Sequence, residues 1–284
     1  MIIDVHVHCA FFKDICEDSG RVQFRRNEYA LHKTGPADME QTLTVMDFAK
    51  IDKSILLPLD LTTVSGDTLV SNQEVHKLVN LQPDRFIGFA SVDPYRPDAS
   101  EVTEYAFKDL RLTGLKLNLS RLKLYPMDKR LTPLYDLCIK YNRPIMFHAG
   151  LSWEPNAPAR YGRPIEYEDL AMAYPTLRFC LAHFGWPWVD ETVMLMIKFP
   201  NVYTDTSLLY LDSPKRFFDQ IFMKNMGPTW IEHNFLEQVM FGSNAPRFRP
   251  ARIREGVESL PMRKGSMEKI LGLNAEKFLG LGGQ

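Results

Sequence analysis

Cysteine is scarce: Cys9, Cys16, Cys138 and Cys180 are too few and too scattered in 284 residues for a disulfide framework, which suits a reducing compartment. No run approaches the ~18 apolar residues of a membrane span. A charged residue and two histidines fall in the opening stretch, where a secretory leader would need an apolar segment. Neither sign of charge is in excess. The net charge of -1 gives no general electrostatic reason to bind nucleic acid or a membrane surface. A glycine-rich nucleotide fingerprint after the first strand and a solenoid-length repeat are both missing. These absences leave a cytoplasmic enzyme or binding protein with a small-molecule partner, and a homo-oligomer stays open.

What is present is a long α/β alternation. With 45% hydrophobic residues the chain can bury a large core, and its length is near that of one α/β barrel, so a single domain over 1–284 is expected. Apolar strands are predicted at Ile2–His8, Ser54–Asp60, Phe86–Val92, Leu112–Leu119, Pro144–His148, Arg178–His183, Val202–Asp205 and Gln238–Gly242. Helical segments lie between them, one opened by the capping-box sequence Ser71-Asn72-Gln73-Glu74 and another by Thr132-Pro133. This pattern predicts a (β/α)8 TIM barrel, with an open doubly wound sheet as the alternative. The stretch Cys9–Thr34 reads as a long irregular loop. Its Arg21, Arg25 and Arg26 are candidate substrate contacts or plain solvated arginines.

The chemistry concentrates in histidine. In Ile2-Ile3-Asp4-Val5-His6-Val7-His8 the two imidazoles are two residues apart on a strand and share a face, a spacing suited to one metal ion. Two polar residues on a solvated strand face would give the same spacing, but the flanking Ile and Val residues read as a strand buried on both faces. Of seven histidines, His6, His8, His148 and His183 fall at predicted strand ends, where barrel active sites form. His32, His76 and His233 fall on loops or helices. Three or four imidazoles plus a water make a catalytic metal site with an open position.

Several segments together resemble the amidohydrolase-related branch of the amidohydrolase superfamily: Asp4-Val5-His6-Val7-His8, Gly114-Leu115-Lys116-Leu117, Pro144 to Gly150, Leu181-Ala182-His183-Phe184-Gly185, Asn201 to Ser207, Phe241-Gly242-Ser243 and Ile270 to Ala275. That branch includes metal-dependent lactonases, related hydrolases and decarboxylases of the aminocarboxymuconate semialdehyde type. The resemblance implies one divalent ion per chain, zinc being the first expectation, with His6 and His8 as ligands and His148 as ligand or near-ligand. It implies His183 as a group that ligates, or that activates and orients water or substrate. In other branches a strand-four lysine is carbamylated between two metals; here Lys116 is expected to face the substrate or to be structural.

One departure stands out. After Phe241-Gly242-Ser243 the family usually has an aspartate, and this chain has Asn244, whose amide cannot take a proton near neutral pH. Catalysis must then lean on His183, on a carboxylate such as Asp205, Asp60 or Glu154, or on chemistry that needs no base there. Arg121 and Arg247 are placed to grip a substrate carboxylate, and Trp153 and Trp186 to wall an apolar substrate, although each also reads as a surface or packing residue. Three functions follow: a metal-dependent hydrolase of a small carboxylated ester, lactone or amide using metal-activated water; a lyase, decarboxylase or hydratase, of an aromatic or muconate-like acid; or a metal-binding barrel that has lost catalysis. Asn244 motivates the third and does not separate the first two.

Overall fold

A computed structural model describes residues 1–207 and 213–281. The expected domain also takes in 208–212 and 282–284, which lie outside the described residues.

Eight parallel strands form a (β/α)8 barrel: β1 (Ile3–His8), β2 (Lys53–Leu57), β3 (Phe86–Gly88), β4 (Leu115–Leu117), β5 (Ile145–Phe147), β6 (Phe179–Leu181), β7 (Val202–Asp205) and β8 (Val239–Met240). Regular ladders run from β1 through β2 to β3 and from β4 through β5, β6 and β7 to β8. Two parallel bridges close the seams, Ala90 with Leu115 and Val7 with Ala245. Closure satisfies the backbone groups that an open edge would leave to solvent.

The second strand is shorter than its apolar run suggested. Pro58 has no N–H to give to a ladder. Leu59–Asp60 leaves the barrel and pairs antiparallel with Thr68–Val70. Of the others only the seventh keeps its expected bounds; the rest are trimmed, and those that lose residues at their C-terminal ends release them into the loops above the barrel.

Along β1 the register against β2 shifts between Asp4 and Val7. Strict alternation would put Ile3, Val5 and Val7 on one face. Instead Ile3 and Val5 join one apolar cluster with Ile55, Met146, Cys180 and Met240, floored by Ala275 and Phe278 of the last helix, while Val7 packs in the larger cluster. An irregularity of this kind re-aims side chains and is common beside active sites.

The stretch Cys9–Thr34 is not the loop its composition implied. It contains a helix, Ser19–Glu28, whose N-terminus is capped by Asp18 accepting from Arg21 N at 2.8 Å. Only Val22 and Arg25 are buried on it, so no apolar periodicity announced it. Its arginines are structural. Arg25 is wholly buried, donating to Ala10 O and pairing with Glu74 at 2.7 Å. Arg21 pairs with Asp67 and Glu74, and Arg26 donates to Thr34 O. The next helix, Met39–Phe48, begins where Asp38 and Gln41 form a capping box. The Ser71–Glu74 box forms as expected. All four cysteines are free and buried. Among the described residues no helix is long and apolar enough to cross a membrane.

Candidate active site

Four imidazoles form one row above the barrel. Ring centroids are 5.1 Å apart for His8 and His6, 4.7 Å for His6 and His183, and 5.0 Å for His183 and His148. Residues from β1, the loop after β5 and the turn after β6 thus meet, although as many as 177 positions separate them in sequence, which is 183 less 6.

Asp205, the last residue of β7, sets the row's orientation. Its Oδ2 accepts from His6 Nδ1 at 2.8 Å, and its Oδ1 accepts from the backbone N–H of His183 at 2.9 Å and of Ser207 at 3.0 Å. The Ser207 hydroxyl also donates to Asp205 Oδ1, and so receives the Nδ1 proton of His183 at 2.7 Å. Both Nδ1 atoms therefore carry the proton, and both Nε2 atoms present a lone pair. His6 Nε2 is buried without a hydrogen-bond partner among the described residues, and His183 Nε2 lies 3.3 Å from His148 Nδ1.

These groups fit a divalent ion. Burial holds His6, His8 and His183 well below the usual imidazole range and takes His148 down to about 3, so all four are neutral, as ligation requires. A separation of ~3.3 Å is also the edge of a tetrahedron with metal–nitrogen bonds of ~2.0–2.1 Å. The donor atoms of His6, His183 and Asp205 fall within 4.8 Å of one another as well. Because Asp205 already serves His6, His183 and Ser207, we assign it to holding imidazoles in place rather than to touching substrate.

Below the row, Asp4 ties β1 to the end of β8 by accepting from His6 N and Ser243 N. Burial pushes its carboxyl up to about 7. Asn244 follows, with φ of 60°, a left-handed conformation that Asn and Asp tolerate better than other side chains. Gly150 has φ of 78°, and a Cβ there would stand 2.1 Å from Trp186 O. Only glycine lets the loops after β5 and β6 approach this closely.

A narrow cavity of about 40 Å3 opens beside the imidazoles, walled by His8, Tyr29, Pro58, Leu59, Lys116, Asn118, His148, Trp153, Glu154, His183, Asn244 and Arg247. The expected Lys116, Trp153 and Arg247 line it, with the Arg247 guanidinium 5.4 Å above the Trp153 ring. Two expected contacts do not reach it. Arg121 is buried and pairs tightly with Glu28, also lying 3.6 Å from Glu154. Trp186 packs half-buried against the main core. Tyr29 was not foreseen: it closes the unpredicted helix, lies against His8 at 5.3 Å, and has a buried hydroxyl without a hydrogen-bond partner among the described residues.

Lys116 is the anomalous member of the wall. It is 3% exposed, its Nζ has no hydrogen-bond partner among the described residues, and burial lowers its ammonium to about 8, with Asp205 pulling the other way. At neutral pH it is a buried cation facing a cavity.

A family model described as amidohydrolase matches residues 3–281. No curated protein matches the chain. Among solved structures, an uncharacterized TIM-barrel protein of Bordetella bronchiseptica is 23% identical, with a TM-score of 0.76 over 100% of this chain and 99% of that one. The 5-carboxyvanillate decarboxylase of Sphingomonas paucimobilis is 17% identical, with a TM-score of 0.68 over 99% of both chains. A dihydroxybenzoic acid decarboxylase of Polaromonas sp. JS666, with bound manganese and the inhibitor 2-nitroresorcinol, is also 17% identical, with a TM-score of 0.67 over 100% of this chain and 98% of that one. At such identities the likeness to these structures concerns the fold, whereas the family match spans nearly the whole sequence, and the chain belongs to the amidohydrolase family.

Proposed function

We propose that the chain is a metal-dependent lyase that decarboxylates a small carboxylated aromatic or conjugated acid. The observation that carries this is Lys116. A buried ammonium with no hydrogen-bond partner among the described residues costs several kcal/mol, and a substrate carboxylate in the cavity would offset that cost. Arg247 adds a second cation, while Tyr29 and Trp153 offer ring faces to a planar substrate. The decarboxylases named above act on acids of this class.

His6, His8, His148 and His183 would hold the ion; imidazole donors suit zinc, and manganese is the ion bound in the Polaromonas decarboxylase. When bound it supplies a Lewis acid beside the carboxylate and its neighbouring oxygens. Asp205 and Ser207 hold the His6 and His183 tautomers, and Lys116 orients the acid.

Hydrolysis of a carboxylated ester, lactone or amide is the second reading. It is favoured by Glu154, a cavity carboxylate able to take a proton from water although Asn244 cannot. The deciding experiment incubates metal-loaded protein with hydroxybenzoates and methoxylated benzoates, and separately with lactones and amides, using His6→Ala as control. Carbon dioxide released by wild type alone supports the lyase. Turnover confined to the lactone or amide panel selects hydrolysis, and none in either panel leaves a barrel that binds metal without catalysis.

A further inference from the structure

We infer that Glu154 is the catalytic carboxylate of this site, carrying the proton that the residue at 244 cannot carry. The inference rests on the enzymatic reading above and assigns a residue to it. Three carboxylates were available in place of an aspartate at 244, and the fold disposes of two. Asp205 is saturated by His6, His183 and Ser207. Asp60 is buried away from the cavity, accepting from the hydroxyls of Thr62 and Thr68 and lying 3.6 Å from Arg96. Glu154 alone among the three stands on the cavity wall, which it shares with Asn244.

Its tether suits a proton carrier. Among the described residues the Glu154 carboxylate makes no hydrogen bond, only the 3.6 Å ion pair with Arg121, whose tighter partner is Glu28. At that distance the contact steers the group without a hydrogen bond to it. The neighbouring Trp153 stacks with Arg247, whose backbone N–H donates to Asn244 O at 2.9 Å. The loop carrying Glu154 is thereby held against the turn that carries Asn244.

In decarboxylation the bond between the ring or vinylic carbon and the carboxyl carbon breaks, and its electron pair stays on the ring or vinylic carbon. The Glu154 carboxyl proton forms the new C–H bond, carbon dioxide leaves, and the carboxylate regains a proton from solvent. In hydrolysis the same oxygen takes a proton from water and returns it to the leaving group.

Two measurements on metal-loaded protein test this. The first is calorimetry of benzoate binding at pH 6 in buffers of different ionisation enthalpy. A general acid must hold its proton beside the bound acid, so in the decarboxylation reading wild type takes up a proton on binding that Glu154→Gln does not. Lys116, Arg247, Tyr29 and the imidazoles are common to both proteins, so the difference isolates residue 154. The second is turnover of whichever panel compound wild type converts. Glu154→Gln loses about 10²- to 10⁴-fold in kcat with little change in KM, Glu154→Asp keeps part of the rate, and Glu154→Gln/Asn244→Asp regains at least ~10-fold over Glu154→Gln. Equal proton uptake by wild type and Glu154→Gln overturns the assignment, as does a double variant no faster than the single one. If wild type fails to bind benzoate at all, the carboxylated-substrate reading falls and takes this one with it.

Discussion

Asp205 Oδ2 lies 2.8 Å from His6 Nδ1, joining the end of the seventh strand to the first across 199 residues of sequence. The contact decides which nitrogen of His6 is bare. Asp205→Asn keeps the shape but removes the charge that holds the Nδ1 proton, and outer partners of metal-binding histidines typically contribute 10- to 100-fold in metal affinity. Competition with a chromogenic chelator should show a loss of about that size for zinc or manganese, with far-UV circular dichroism unchanged. An unaltered affinity would remove Asp205 from the site.

Lys116 sets a pH dependence of stability. Its folded value of about 8 lies below the ordinary 10.5, so between these two the unfolded chain binds more protons and stability rises with pH. Below pH 8 the full cost of the buried charge is present, about 3 kcal/mol. Metal-free Lys116→Met should therefore be more stable than wild type at pH 7 by that order. The gap should close as pH approaches 10.5 in urea titrations. The same variant should lose benzoate binding, and a destabilised Lys116→Met would contradict the buried-cation reading.

Gly150→Ala tests the approach of the loops after the fifth and sixth strands. A methyl group would meet Trp186 O at 2.1 Å in a backbone conformation with φ of 78°. Strain and displacement together should cost about 3 kcal/mol or more. Urea unfolding would register this as a lower midpoint at unchanged slope, and a wild-type midpoint would show that the loops give way freely.

Arg25→Ala separates packing from binding on the unpredicted helix. The guanidinium is buried against Ala10 O and Glu74, so removing it should destabilise the fold by about 3 kcal/mol. KM for any converted substrate should stay within a factor of about two, since the Arg25 side chain does not line the cavity. A raised KM with normal stability would return Arg25 to the binding surface.

Sequence alone carried the period of the fold and the set of histidines that folding brings into one row. Strands of apolar and β-branched residues alternate with helices, and imidazole placed at strand tips has few other uses in a barrel, so both could be read from spacing. Helix Ser19–Glu28 escaped because it buries an arginine where periodicity looks for an apolar residue. Tyr29 escaped with it. Arg121, Arg247 and Glu154 look equivalent as isolated charged residues near strand ends. Tertiary structure separated them, since a charge is structural or functional according to the partner it meets: Arg121 meets Glu28, while Glu154 meets a cavity. The tautomers of His6 and His183 were likewise decided only when folding brought Asp205 and Ser207 within hydrogen-bonding distance of them, because a proton's position depends on contacts that local sequence does not encode.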